Sequence, residues 1–219
     1  MRPCMRCDHS KDVKGFFDDH DYTKFDAVLF NEQFLVTGDK PAKLEPSQIY
    51  IFNGLDSPVN TPACEPQQDR FFNWTLVYHL DADIVWSYFI VRNLEGAIIA
   101  PSSTVTWQKN LNPISPKIKT ILAGKSAAAW LVSHCKTVSF REEYLTRLQE
   151  HLHHFALKID VYGGCSQDTC TRDECKKMIE KDYFFYMAFE NSFADDYVSE
   201  KVLLGYENYA VPIVYGAAN

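Results

Sequence analysis

The sequence predicts an α/β fold in which parallel strands are covered by helices on both faces. Short apolar runs that do not alternate with polar residues indicate strands buried on both sides. Segments with apolar residues at three- and four-residue steps separate these runs and predict amphipathic helices. Strands and helices in alternation are typical of a doubly wound sheet. Ligands of such sheets bind outside the carboxyl ends of the strands.

The amino-terminal half predicts buried strands followed by a linker. Residues 26–30 and 48–52 are short apolar runs that end in polar or glycine-containing turns. Residues 109–117 carry two prolines among polar neighbours, which interrupts both helical and strand periodicity. We therefore predict a domain boundary there, with one domain over residues 1–112 and a second over residues 113–219.

The carboxyl-terminal half predicts strands and helices in alternation. One helix is expected over residues 141–158, where Leu145, Leu148, Leu152 and Phe155 recur on one face. The other expected elements are helices over residues 172–181 and 198–208 and strands over residues 127–132, 158–162, 184–189 and 211–215. This order predicts a parallel sheet with helices on both faces.

Composition excludes several classes of protein. The chain is 46% hydrophobic and 14% aromatic, which is enough for a sizeable core and excludes a disordered or collagen-like chain. A net charge of −7, with no basic stripe, disfavours a nucleic-acid partner. No apolar run reaches the roughly 18 residues of a membrane helix, and the charged start lacks the apolar stretch of a signal peptide.

Cysteines and a glycosylation sequon favour a secretory compartment. Asn73 begins an Asn-Trp-Thr sequon, a pattern that also arises by chance in cytosolic chains. Seven cysteines are present, so at least one thiol is unpaired or lacks its partner. The spacing of Cys4 and Cys7 is also that of half a zinc site, so both uses stay open. The remaining cysteines are Cys64, Cys135, Cys165, Cys170 and Cys175.

Residues 189–201 form the densest group of polar side chains that could act on a ligand. This segment joins a predicted strand to a predicted helix, where the carboxyl end of a strand meets the positive end of a helix. The side chains so placed are Asn191, Tyr197, Glu200 and Lys201. A structural alternative makes Asp195 or Asp196 the helix N-cap, with the charges that follow on a solvated face.

Motifs run along nearly the whole chain and are densest near its carboxyl end. The longest are residues 183–192, 196–202 and 211–216. The others are residues 55–58, 72–75, Tyr78, residues 81–84, 130–135, Arg141 and residues 159–163. In content, order and rough spacing these motifs resemble the α-1,3/4-fucosyltransferases of glycosyltransferase family 10.

The resemblance implies a GT-B type glycosyltransferase of two Rossmann-like domains, the first facing the acceptor sugar and the second binding GDP-fucose. It implies an inverting transfer of L-fucose from GDP-β-L-fucose to the 3-hydroxyl of a GlcNAc unit in a glycoprotein glycan. No cofactor is then required, and divalent cations would at most stimulate the enzyme. The implied partners are GDP-fucose and an N-glycan or lactosamine-type acceptor, and the implied location is the lumenal side of the Golgi membrane.

The family pattern implies a donor pocket in the second domain. Arg141 would bind the leaving diphosphate through two parallel hydrogen bonds, and Lys201 would supply a second cation. Glu200 would hold the donor sugar and favour the positive charge of the transition state. The other residues that match the pocket are Ser133, Tyr186, Asn191 and Tyr197. His134 departs from the pattern, because Asn is more usual there.

Asp56 is the implied base for the acceptor hydroxyl. The family usually has Glu before Ser-Pro, and Asp is one methylene shorter, so its reach is roughly an ångström less, a difference that can slow catalysis. The alternative interpretation makes Asp56 a turn-forming residue before Ser-Pro. If the shorter side chain, His134 and an expected missing carboxyl-terminal part have cost turnover, the chain is a catalytically idle glycan- or nucleotide-binding relative.

Two further patterns are typical of metal sites. Asp81 and Asp83 have the Asp-x-Asp spacing with which other glycosyltransferase folds hold a divalent cation, so a metal-dependent transferase is a third hypothesis. His151, His153 and His154 lie near a predicted helix end, where histidines also suit the helix dipole. Because the resemblance implies two basic residues on the diphosphate and disulfides among the cysteines, we predict no metal site.

The sequence ends directly after a predicted strand, where a parallel sheet normally continues into a helix. Members of the family are typically single-pass Golgi proteins, and this sequence contains no anchor. We therefore expect a fragment that lacks its membrane anchor and its closing helices. A partner in the missing part would explain the odd cysteine.

Overall fold

Two four-stranded sheets dominate the structure, a computed structural model that describes residues 22–32, 41, 43–60 and 70–218. The chain divides into two compact units. The first comprises Met1–Val77 and Ala82–Ile84, and the second comprises Tyr78–Asp81 and Val85–Asn219. The predicted α/β class is confirmed, because each unit contains parallel strands.

The first sheet has the strand order β1-β2-β3-β4. Its strands are β1 (Ala27–Asn31), β2 (Ile49–Gly54), β3 (Trp74–Val77) and β4 (Ile84–Val85). The pairs β1–β2 and β2–β3 are parallel, and both predicted strands of this region are confirmed. The buried side chains Val28, Phe30 and Tyr50 pack against Phe52, Phe71 and Phe72. This aromatic cluster forms the core of the first unit.

An exposed segment separates the two sheets along the chain. β5 (Val91–Arg92) and β6 (Ile98–Ala100) form a small antiparallel pair, and α1 (Pro116–Ala123) begins at the second proline of the predicted linker. Ser115 is the N-cap of α1 and accepts a hydrogen bond from the Ile118 N–H. Residues 109–115 form neither helix nor strand, as expected from Pro113 and its polar neighbours, whereas Pro116 is the first residue of α1. The domain boundary at residue 112 stays a prediction.

The second sheet has the strand order β10-β9-β7-β8, and all of its strand pairs are parallel. Its strands are β7 (Ala127–Leu131), β8 (Ile159–Tyr162), β9 (Tyr183–Phe189) and β10 (Val211–Tyr215). The connecting helices are α2 (Arg141–His153), α3 (Arg172–Asp182) and α4 (Glu200–Glu207). Each of these elements was predicted, and the doubly wound interpretation is confirmed for this unit.

Helices cover both faces of the second sheet. On one face, Trp130 and Met187 of the sheet pack with Leu145 of α2. On the other, Ala129 and Tyr186 pack with side chains of α3 and α4. Burial on both faces explains why these strands are continuously apolar rather than alternating.

The predicted helix over residues 141–158 is too long. It ends at His153, and Ala156 has a φ of 54°, a left-handed conformation that a helix does not accommodate. Leu145 is buried as expected, but Phe155 lies beyond the helix and is 74% exposed. The apolar stripe therefore extends only to Leu152, which packs at the edge of the core.

Candidate functional site

The strand order of the second sheet reverses between β7 and β9, which are neighbours in the sheet but not in the chain. Connections from these two strands lead to opposite faces, the arrangement that in doubly wound sheets leaves a crevice outside the carboxyl ends of the strands. The loop after β7 carries Ser133 and His134, and the loop after β9 carries Asn191. The topology thus brings residues from two distant parts of the sequence to the edge where a doubly wound sheet binds its ligand.

Hydrogen bonds join the two loops at this edge. Ser139, which is 1% exposed, donates its hydroxyl to the carbonyl of Glu190 at 2.8 Å. Its N–H donates to the carbonyl of Asn191 at 3.3 Å. The side chain of Asn191 accepts a hydrogen bond from the Ser192 hydroxyl. These hydrogen bonds therefore tie the two loops together at the edge where a doubly wound sheet binds its ligand.

The loop after β7 is held by the loop after β8. A disulfide joins Cys135 to Cys165. Gly163 has a φ of +104°, and a Cβ there would lie 2.5 Å from the Val132 carbonyl oxygen. Ser133 is exposed, with its Oγ 3.2 Å from Nδ1 of His134. These contacts fix the backbone that presents Ser133.

Arg141 lies beneath the crevice rather than open to solvent. It is 3% exposed and donates to the carbonyl of Phe189 at 2.7 Å and to that of His134 at 3.3 Å. Its guanidinium also lies 5.5 Å from the centre of the Trp130 ring. Arg141 thus ties the ends of β7 and β9 together. Its buried Nε has no hydrogen-bond partner but lies 3.5 Å from a carboxylate oxygen of Glu142.

Glu190 is a site residue that the sequence analysis missed. Its carboxylate is fully buried and accepts the Ser199 N–H at 2.8 Å, the Ser199 hydroxyl at 2.8 Å and Nζ of Lys201 at 3.0 Å. Nζ of Lys201 also donates to the Ser199 Oγ. An ionisable residue directly after a fully apolar strand was the available signal, because such a charge is buried only with partners.

This ion pair changes the interpretation of the helix that follows. The N-cap of α4 is Ser199, not Asp195 or Asp196, and its side chain is bonded to Glu190 instead of to the helix. Lys201 is not on a solvated face, since its side chain is 22% exposed and paired. Glu200, at the first position of α4, is exposed. The structural alternative is therefore wrong for the N-cap and for Lys201, whereas the exposed position of Glu200 agrees with it.

Two predicted donor residues lie in the core. Tyr186 is 1% exposed in the middle of β9, and burial followed by the charge of Glu200 raises the pKa of its hydroxyl. Tyr197 is 3% exposed, and its ring lies 5.1 Å from that of Tyr78. The donor-contacting roles of Ser133, Arg141, Tyr186, Asn191, Tyr197, Glu200 and Lys201 stay predictions.

Asp56 follows β2 in the first unit and organises a turn. Its Oδ1 accepts the Ser57 N–H at 2.8 Å and the Asn60 side-chain amide at 3.1 Å. Ser57 is fully buried, so the position of the turn is well defined. The carboxylate is therefore held at the carboxyl end of a parallel strand, and its role as a base stays a prediction.

The Asp-x-Asp pattern does not form a paired carboxylate site. Asp83 accepts both the N–H and the hydroxyl of Thr75, and these hydrogen bonds lower the pKa of its carboxyl group. Asp81 instead contacts His79. Within the part of the chain that the structure describes, no cluster of three or more histidine, cysteine or carboxylate residues could hold a metal ion.

The cysteines that the structure describes form disulfides. Besides the Cys135–Cys165 bond, Cys170 pairs with Cys175, which lies in the first turn of α3. The prediction of disulfides is confirmed for these four residues. Cys4, Cys7 and Cys64 lie outside the described residues, and with them the half zinc site.

The predicted glycosylation residue also supports the first sheet. Asn73 is exposed, and its side-chain oxygen accepts the Tyr50 N–H at 2.7 Å while its own N–H donates to the Tyr50 carbonyl. These bonds extend the β2–β3 ladder by one residue. In the described ranges, no helix is both long and apolar enough to cross a membrane.

Two family models match this chain. "Fucosyltransferase, N-terminal" matches residues 3–89, and "Glycosyltransferase family 10 (fucosyltransferase) C-term" matches residues 122–219. The second match contains the whole crevice described above, from Ser133 to Lys201. The two models describe the amino-terminal and carboxyl-terminal parts of fucosyltransferases, and they match this chain in that order.

Curated relatives of this chain are named as fucosyltransferases. The chain is 37% identical over 202 residues to alpha-(1,3)-fucosyltransferase C of Drosophila melanogaster. The matched region covers 89% of this chain and 46% of the relative. It is 29% identical over 197 residues to glycoprotein 3-alpha-L-fucosyltransferase A of the same organism, covering 88% of this chain and 35% of the relative. The chain thus spans half or less of these proteins.

A solved structure, a crystal structure of an alpha1,3-fucosyltransferase with GDP, is similar to this chain with a TM-score of 0.47 and 13% identity. The match covers 88% of this chain and 56% of the solved chain. The family models and the curated relatives agree with the motifs at the carboxyl edge of the second sheet. The chain therefore belongs to glycosyltransferase family 10, the fucosyltransferase family.

Proposed function

We propose that this chain carries the site at which L-fucose is transferred from GDP-β-L-fucose to the 3-hydroxyl of a GlcNAc unit in a glycoprotein glycan. The observation that carries the proposal is the edge between the ends of β7 and β9. The family's motif residues Ser133 and Asn191 lie in the loops that follow these two strands, and Lys201 is paired with Glu190, directly after β9. Membership of the family and the names of its curated relatives support fucosyl transfer.

The donor is proposed to bind in this crevice with its diphosphate near Lys201. The Glu190 carboxylate fixes Nζ of Lys201 at 3.0 Å, so the ammonium is already oriented when the donor arrives. Arg141 holds the two strand ends through its bonds to the Phe189 and His134 carbonyls, and its positive charge is proposed to stabilise the diphosphate. Tyr186, Tyr197 and Asn191 shape the pocket, while Glu200 is exposed and available to the sugar hydroxyls.

Transfer is proposed as one direct displacement with inversion. The acceptor oxygen bonds to the anomeric carbon as the bond from that carbon to the phosphate oxygen breaks, and GDP leaves with the electron pair. The hydroxyl proton passes to the carboxylate of Asp56. Glu200 favours the positive charge that develops on the sugar. No cofactor enters these steps, and the two cations serve the diphosphate in place of a metal.

Incubation of the protein with GDP-fucose and a panel of N-glycan and lactosamine acceptors tests this proposal. We expect one added fucose on O3 of a GlcNAc unit, located by fragmentation mass spectrometry, and full activity in excess chelator. Loss of transfer in chelator would favour the metal-dependent hypothesis. Tight GDP binding without any transfer would instead support a catalytically idle relative.

The chain is further proposed to act in the lumen of the Golgi, with a glycan on Asn73. Two disulfides support an oxidising compartment. The exposed position of Asn73 leaves room for a sugar.

Asn73 variants separate glycosylation from folding. Expressed through a secretory pathway, the wild type is expected to lose one glycan mass on enzymatic deglycosylation, whereas Asn73→Asp and Asn73→Ala are not. Asp keeps the oxygen that accepts the Tyr50 N–H, so we expect Asn73→Ala to be less stable than Asn73→Asp by about 1 kcal/mol. Equal stability of the two variants would show that the ladder bond does not contribute.

A further inference from the structure

The segment Tyr78–Asp81 packs against the loop that leads into α4, and both belong to the second unit. Oδ2 of Asp196 accepts the Leu80 N–H at 3.0 Å, and Nδ1 of His79 lies 3.6 Å from the same oxygen. This bond joins residues 116 positions apart in the sequence. Asp196 begins one of the motifs that carry the family resemblance, but that resemblance predicts no role of its own for it.

The backbone of Asp196 is held in an uncommon conformation. Its φ is 60°, a left-handed value at which aspartate, asparagine and glycine are favoured over other residues. The side chain of Asp196 is 26% exposed, so its hydrogen bond to Leu80 is partly shielded from water. The neighbouring Asp195 is exposed.

The residue after Asp196 is enclosed by aromatic rings. The ring of Tyr197 lies 5.1 Å from that of Tyr78 and 6.3 Å from that of Tyr88. Two residues further on, Ser199 bonds to Glu190 and begins α4. Asp196 therefore lies where the loop after β9 leads into the segment that carries Glu200 and Lys201.

We propose that Asp196 is a positioning residue of the donor site. Its bond to the Leu80 N–H holds the loop in the left-handed turn that places Tyr197 against Tyr78 and sets the start of α4. Without this bond the segment 196–201 gains conformational freedom, and the donor must order it on binding. This inference rests on the proposed function, in that the crevice is taken to bind a nucleoside diphosphate.

Three variants test the proposal. Asp196→Gly keeps the left-handed backbone but removes the acceptor, while Asp196→Asn keeps both an acceptor oxygen and tolerance of the backbone conformation. Asp195→Gly is the matched control for the flexibility that a glycine adds. Amide hydrogen exchange is measured without nucleotide, and GDP affinity is measured by calorimetry.

We expect Asp196→Gly to speed exchange at Leu80 and in residues 197–201 and to weaken GDP binding about tenfold. Asp196→Asn and Asp195→Gly are expected to stay within about twofold of the wild type in both measurements, which is below the effect of one lost hydrogen bond. Unchanged exchange in Asp196→Gly would show that the bond to Leu80 does not order the loop. Faster exchange with unchanged GDP affinity would show that Asp196 does not position the donor site. A wild type that does not bind GDP contradicts the proposed function, while the exchange data still decide whether Asp196 orders the loop.

Discussion

Replacing Asp56 with asparagine is expected to lower the rate of fucosyl transfer by about 10²–10⁴-fold. Asparagine keeps the oxygen that accepts the Ser57 N–H and the Asn60 amide, so the turn after β2 is retained. It does not take a proton from the acceptor hydroxyl at neutral pH. The measurement is kcat at saturating GDP-fucose and acceptor, together with GDP affinity, which is expected to be unchanged.

Two variants control this experiment. Asp56→Glu introduces the residue that is usual in the family before Ser-Pro, and it is expected to keep transfer because it retains the carboxylate. Asp26→Asn changes an exposed aspartate just before β1 and is expected to have no effect. Full transfer by Asp56→Asn would contradict its assignment as the base. Transfer by Asp56→Glu but not by the wild type would show that the shorter side chain has cost turnover.

Replacing Glu190 with alanine is expected to lower the free energy of unfolding by about 3–5 kcal/mol and to abolish measurable GDP binding. The carboxylate is fully buried and accepts hydrogen bonds from Ser199 and Lys201. Its removal leaves the Ser199 N–H and hydroxyl without their buried acceptor and releases the ammonium of Lys201. Denaturant unfolding gives the change in stability, and calorimetry with GDP gives the change in binding.

Glu190→Gln separates the charge from the hydrogen bonds. Glutamine keeps one acceptor oxygen for Ser199 but does not pair with Lys201, so we expect a smaller loss of stability and a clear loss of GDP affinity. Glu150→Ala, on the exposed side of α2, is the control and is expected to change stability by less than about 0.5 kcal/mol. Wild-type stability and GDP affinity in Glu190→Ala would contradict the role of this ion pair.

The elements of the second sheet follow from local patterns. The apolar run over residues 184–189 and the stripe led by Leu145 are properties of short segments, and both elements formed where they were expected. Phe155 shows the limit of this reasoning. It continues the helical spacing, but the left-handed turn at Ala156 ends the helix before it contributes to the core.

The contacts of the candidate site follow only from the tertiary structure. Arg141 was expected at the diphosphate, yet its guanidinium bonds to the carbonyl of Phe189, 48 residues away. Glu190 was not predicted to act, because its partner Ser199 becomes a neighbour only when the loop after β9 folds back. The bond from Asp196 to Leu80 depends in the same way on long-range packing.

The sequence by itself determined the α/β class, the order of strands and helices in the second unit, and the family to which the chain belongs. These are encoded in the spacing of apolar residues and in contiguous motifs. The tertiary structure decided which polar groups share the crevice, because the strand order β10-β9-β7-β8 brings the ends of β7 and β9 side by side. A charge buried there is costly unless it is paired or hydrogen-bonded, and its partners come from other segments of the chain.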